Sequence, residues 1–154
     1  MAFFELWRPD TSVQHISSFW NDYSPLWRKH EPVGEKIVGE IREHISRVLG
    51  RGKHEGNILD LCSGADYFSY FPSNIKRNAV YAFDISCEML KLSPSERKTQ
   101  GDARKALPYA NNSFDVITMI FGWSHLKYKV YDFGYTRIHP EAQALYPSQL
   151  ILQL

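Results

Sequence analysis

Cysteine is scarce: Cys62 and Cys87 are the only two in 154 residues. Two are too few for a disulfide scaffold, and they read as reduced thiols of a cytoplasmic protein. An excess of either charge is also missing. Lys plus Arg total 18 against 17 Asp plus Glu, a formal net charge of +1. That gives no basic footprint, so no nucleic-acid partner is expected. No apolar run is long enough for a bilayer span, so no membrane association is expected either. The opening MAFFELWRPD carries Glu5 and Asp10 and no basic stretch ahead of an apolar one, unlike a secretory signal. The histidines at 15, 30, 44, 54 and 139 lack metal-ligand spacing. Neither a Gly-x-Ser-x-Gly elbow nor a Gly-x-x-x-x-Gly-Lys phosphate loop occurs, which leaves serine hydrolases and P-loop enzymes without support.

What remains is ordinary globular composition, 44% hydrophobic and 23% charged, in a length that suits one domain over 1–154. It divides into an aromatic arm at 1–32, a core at 33–124 and an irregular or shortened segment at 125–154. The arm holds Phe3, Phe4, Trp7, Phe19, Trp20, Tyr23 and Trp27. Thr11 or Ser12 is placed to cap a helix through Trp20, and Pro25 and Pro32 punctuate the rest of the arm. Its rings either pack the arm on the body or form a lid over a pocket. Residues 33–49 repeat apolar side chains at steps of three and four, an amphipathic helix stopped by Gly50 and Gly52. Strands are expected at 57–61, 79–83, 97–101 and 113–121. Short helices are expected at 67–71 and 86–92, the second capped by Ser86. Strands alternating with helices predict an α/β fold on a parallel sheet.

In such a sheet, ligands lie beyond the carboxyl ends of the strands. The first strand ends in Asp60, followed by Cys62-Ser63-Gly64-Ala65-Asp66, and the second ends in Asp84. A glycine turn followed by an acid about 20 residues later is a nucleotide-binding arrangement. Glycine lets the backbone approach a ligand, and the acid accepts hydrogen bonds from ribose hydroxyls. The competing reading of Asp84 is a cap for the next helix, and that of Asp60 is a structural acid. Asp102 reads alternatively as a turn residue, and Asp115 reads as structural. The absent Gly-x-Gly-x-x-Gly argues against a dinucleotide-dependent oxidoreductase.

Three segments carry a resemblance: ILDLCSGAD (58–66), YAFDISCEML (81–90) and GDARKALPYANNSFDVITMIFG (101–122). Through them the chain resembles the class I S-adenosylmethionine-dependent methyltransferases, in particular the small-molecule, quinone-biosynthesis-like branch. The resemblance implies a Rossmann-like sheet with strands in the order 3-2-1-4 and S-adenosyl-L-methionine as cofactor. It implies that Asp60, Cys62 and Gly64 belong to the loop holding the methionine part, and that Asp84 binds the ribose. Ile85 would pack on the adenine, Asp102 would accept from its amino group, and Ala103 would donate a backbone N–H to the ring. Phe121 and Gly122 would lie near the reactive methyl. His125 is the candidate base for a small-molecule acceptor.

The sequence departs from the family in two ways. Cys62 and Asp66 stand where the family's turn has glycines, which predicts weakened cofactor affinity. The chain also looks truncated after the fourth strand, so a non-catalytic binding module working through a partner is the alternative function. The tail QLILQL (149–154) is expected either to form an edge strand beside strand 4 or to pair with another chain, as in a homodimer.

Overall fold

The computed structural model describes residues 12–27, 35–48, 56–65, 71, 73, 75–76, 79–120, 122 and 149–153. The expectations for Asp66, for residues 67–70 of the helix expected at 67–71, for Phe121 and for His125 therefore lie outside the described residues. The elements are α1 (Val13–Trp27), α2 (Glu35–Val48), β1 (Ile58–Leu61), β2 (Val80–Asp84), α3 (Cys87–Leu92), β3 (Arg97–Gln100), β4 (Val116–Ile120) and β5 (Gln149–Gln153). The sheet runs β3-β2-β1-β4-β5. Its first four strands are parallel, and β5 is antiparallel to β4. This is the Rossmann-like α/β architecture, and 149–153 form the edge strand beside β4.

Side chains alternate across the pleat and so sort the core into two halves. Ile58, Val80, Val116 and Ile120 face α2, whose Ile41 and Ile45 are fully buried against them. The exposed Lys36, Arg42, Glu43 and Arg47 fill its other side, the arrangement that the three-and-four spacing requires. Leu59, Leu61, Phe83 and Met119 point the opposite way, onto Ala103 and Phe114 of the 101–115 connection. Tyr109 packs edge-on against Tyr81, Phe83 and Phe114 there. All four residues of β1 are buried, as expected of a strand covered on both faces.

Strand 4 begins later than expected, at Val116, because the preceding residues make a clasp instead. The Asn57 N–H donates to Asp115 Oδ2 at 2.8 Å, the Asp115 N–H donates to the Asn57 carbonyl at 2.9 Å, and Asn57 Nδ2 donates to the Ser113 carbonyl at 3.3 Å. Asp115 is thus structural.

Helix α1 runs further than the sequence predicts, straight through Pro25. Proline has no N–H to give the carbonyl four residues back, which in this helix belongs to Asn21. Ser24 supplies the missing donor: its hydroxyl donates to the Asn21 carbonyl at 2.9 Å, and the side chain is buried.

Candidate functional site

The strand order fixes where a site can form. Connections from β1 lead to one side, toward β2 and β3, while β4 lies on the other. The topological switch point is therefore between β1 and β4, at their carboxyl ends. Asp60 and Thr118 are register partners across that seam, and the Thr118 hydroxyl donates to Asp60 Oδ1 at 2.6 Å. Both are buried. Burial pushes the Asp60 carboxyl up to about 7, aided by the nearby charge of Asp84 and opposed by the Thr118 hydrogen bond.

The turn after β1 takes a left-handed path. Cys62 has φ 55° and Gly64 has φ 58°. Gly64 takes this conformation freely, whereas a residue with a Cβ does so at a cost of roughly 1–2 kcal/mol. Cys62 nonetheless keeps the backbone trace, and the room for its side chain comes from across the seam. A Cβ built on Gly122 would lie 2.5 Å from Cys62 Cβ and 3.0 Å from its Sγ. Only a glycine after β4 tolerates a cysteine at that point of the turn. Burial and the charges of Asp84, Asp60 and Asp102 push the Cys62 thiol well up, so it is held protonated. Cys62 and Cys87 are both free thiols.

Asp84 ties the β1 turn to the β2 turn. Its Oδ2 accepts the Gly64 N–H at 2.9 Å and its Oδ1 accepts the Ser86 N–H at 2.8 Å. Burial raises its carboxyl above the ordinary value, against the lowering effect of the backbone donors of Ser86, Gly64 and Ile85. A carboxylate offers about four acceptor positions, so these three donors leave about one. The cap of α3 is Ser86, whose hydroxyl oxygen accepts the Met89 N–H at 3.1 Å. Ile85, at the tip between them, is half-buried.

Asp102 begins the loop after β3 and is clamped by Arg104. Its Oδ1 accepts from the Arg104 backbone N–H at 3.0 Å and from Nε at 2.8 Å, and its Oδ2 accepts from Nη2 at 3.0 Å. Burial works to raise this carboxyl, but the Arg104 hydrogen bonds and the charges of Arg104 and Lys105 hold it below the usual range. Oδ1 is fully engaged, and Oδ2 keeps one acceptor position. The sequence reading missed this clamp. Its only signal is an acid and an arginine two positions apart in a loop, a spacing common to many turns. Ala103, beside it, is buried in the second core half.

The structure thus gathers Asp60, Cys62, Gly64, Asp84, Ile85, Asp102 and Ala103 around the carboxyl ends of β1, β2 and β3, with Gly122 facing them from β4. Ser63 Oγ, inside the same turn, is buried and has no hydrogen-bond partner among the described residues. Residues 59–133 match the family model of a methyltransferase domain. The methyltransferase match opens inside β1, takes in every one of these loops and runs past β4. No curated protein matches the chain. Among the described residues, no group of His, Cys, Asp and Glu is arranged to hold a metal ion, and no helix is long and apolar enough to cross a membrane.

Sequence reasoning missed one further contact. Asn21, in α1, reaches the same turn from the arm: the Ser86 hydroxyl donates to Asn21 Oδ1 at 2.6 Å, and the Glu88 N–H donates to it at 3.3 Å. Trp27 of the same helix packs on the α2 side of the core. Helix α1, the described part of the arm, therefore packs on the body, and it does so at the edge of the site.

Proposed function

We propose that the chain is an S-adenosylmethionine-dependent methyltransferase acting on a small-molecule acceptor. The family matched by residues 59–133 generally binds that cofactor. The observation that carries the reading is the sign of the charge at the switch point. Among the described residues, the carboxyls of Asp60, Asp84 and Asp102 bear on Cys62 against a single cation, Arg104. Such a site favours a ligand with a sulfonium and an ammonium group and disfavours the pyrophosphate of a dinucleotide. The unpartnered Ser63 hydroxyl in the turn is the kind of orphaned buried donor that a bound ligand satisfies.

In this reading the acceptor position left on Asp84 takes a ribose hydroxyl, and the one left on Asp102 Oδ2 takes the adenine amino group. Ile85 offers an apolar face to the ring, and the Ala103 N–H donates to it. Asp60 and the 62–64 turn hold the methionine part. The cofactor, when bound, supplies an activated methyl group. The chain's own residues orient it and exclude water, which is most of what an in-line displacement needs. For an acceptor that carries a proton, His125 is the base candidate. His125→Asn should then lower kcat and leave cofactor affinity unchanged.

Calorimetric titration with S-adenosylmethionine, its demethylated product and NAD tests the reading. The expected order is the sulfonium first, its product weaker, and NAD unbound. Asp84→Ala and Asp102→Ala should each weaken adenosine-containing ligands by about tenfold or more, the loss of one charge-assisted hydrogen bond. Binding of NAD in preference to the sulfonium overturns it. A labelled-methyl transfer screen then separates an enzyme from a binding module.

A further inference from the structure

The turn between β2 and α3 is held from outside the sheet by α1. Two side chains one helical turn apart do this. The Ser17 hydroxyl donates to the Ile85 carbonyl at 3.2 Å, and Asn21 Oδ1 accepts from the Ser86 hydroxyl and the Glu88 N–H. Gln100 Nε2 makes a second donation to the Ile85 carbonyl at 3.1 Å. Ser86 is fully buried beneath these contacts. Its hydroxyl hydrogen goes to Asn21 while its oxygen accepts from Met89. The same residue's N–H holds Asp84 Oδ1, so Asn21 stands one residue removed from the carboxylate.

We propose that Asn21 is a positioning residue for the Asp84–Ile85–Ser86 turn, and that α1 docking and ligand binding at Asp84 and Ile85 are therefore coupled. A ligand on Asp84 and Ile85 needs the turn in one position. Helix α1 supplies that position through an acceptor that takes the Ser86 hydroxyl and the Glu88 N–H and, more weakly, the Cys87 thiol at 3.9 Å. By reciprocity, a ligand that fixes the turn strengthens the hold on α1. The coupling to a ligand rests on the methyltransferase reading, whereas the hold of Asn21 on the turn does not.

The test compares the full chain with Asn21→Ala and Asn21→Asp. The aspartate keeps an oxygen where both donors point, and the alanine removes it. Amide hydrogen exchange is monitored at 13–27 and 85–90, with and without the demethylated cofactor product, alongside its affinity. In Asn21→Ala, exchange at Ser86 and Glu88 should quicken and affinity should fall about tenfold, as expected for two lost hydrogen bonds at one turn. Asn21→Asp should restore both. The ligand should slow exchange across 13–27 in the parent chain and not in Asn21→Ala. Unchanged exchange at Ser86 and Glu88 in Asn21→Ala overturns the proposal, as does equal affinity with equal ligand protection of α1. If the parent chain binds no adenosine compound, the methyltransferase reading fails by itself. Faster exchange at Ser86 and Glu88 in the alanine variant then still supports the positioning role, and unchanged exchange refutes it. If the alanine variant does not fold, Ser17→Ala gives the same comparison with a milder loss, because Gln100 still holds the Ile85 carbonyl.

Discussion

Gly122→Ala should destabilise the chain, and Cys62→Gly should rescue it. The new Cβ would lie 2.5 Å from Cys62 Cβ and 3.1 Å from Met119 Cγ, against an ordinary carbon contact of ~3.5–4.0 Å. The Met119 atom belongs to a side chain that can turn aside. The Cys62 Cβ is fixed to the backbone of a turn that Asp84 also holds through Gly64, so it cannot. Overpacking of this kind costs about 1–3 kcal/mol. Cys62→Gly alone involves opposing effects. It relieves a left-handed conformation that costs roughly 1–2 kcal/mol. It also loses side-chain packing and adds about 0.5–1 kcal/mol of unfolded-chain entropy. The net change should stay within about 1 kcal/mol. In the double variant only the movable Met119 side chain still crowds the new Cβ, so the Gly122→Ala penalty should largely vanish and the coupling energy should exceed ~1 kcal/mol. Urea unfolding of the four proteins, with m-values checked for constancy, measures it. If the two changes add within about 0.5 kcal/mol, the contact across the β1–β4 seam does not limit these positions and the argument is wrong.

Two buried groups carry further expected outcomes. Asp60 titrates at about 7 in the folded chain against an ordinary 3.8. A raised carboxyl contributes stability that is fully present below the ordinary value and is lost as pH rises through the folded one. The parent should therefore lose stability relative to Asp60→Asn between about pH 4 and 7, and the gap should level off above that. The asparagine oxygen still accepts from Thr118, so a pH-independent gap would refute the assignment. Ser24→Ala should cost about 1 kcal/mol beside Pro25, where the Asn21 carbonyl loses its donor. In a Pro25→Ala background, whose N–H can serve that carbonyl, the cost should shrink, as thermal melts of the paired variants would show.

How much of the fold and site was legible in the sequence depended on the range of the forces involved. Apolar spacing alone located α2, and Ser86 marked the start of α3, because both signals lie within a few residues of the element they specify. A continuous apolar run gave β4 its buried place, and the short segments ILDL and QLILQ were legible as strands. The proline in α1 misled because the rule that breaks a helix is local, while the repair depends on a particular rotamer of Ser24. Cys62 looked like damage to the turn. The compensating feature is a glycine 60 positions later, whose bareness has meaning only once β4 lies beside β1. Asn21 was invisible for the same reason: the partners of its side chain are at least 65 residues away, and an asparagine within an aromatic stretch advertises nothing.

The charge at the switch point also makes a prediction that the neutral parts of the ligand cannot imitate. At pH 6, Asp60 is mostly protonated, since its carboxyl titrates at about 7, while Asp102 stays ionised under the Arg104 clamp. A sulfonium and an ammonium entering beside the turn favour the ionised form of Asp60 and lower its titration point. Binding should then expel a proton at pH 6 and much less of one at pH 8. Calorimetry in two buffers of different ionisation enthalpy reads this directly as a buffer-dependent heat. The demethylated product has no sulfonium charge and should release a smaller fraction, and Asp60→Asn should release none through this route. If heats at pH 6 are identical in the two buffers for S-adenosylmethionine, the ligand's cation does not act on Asp60. The acids at this end of the sheet would then be holding loops together and selecting nothing.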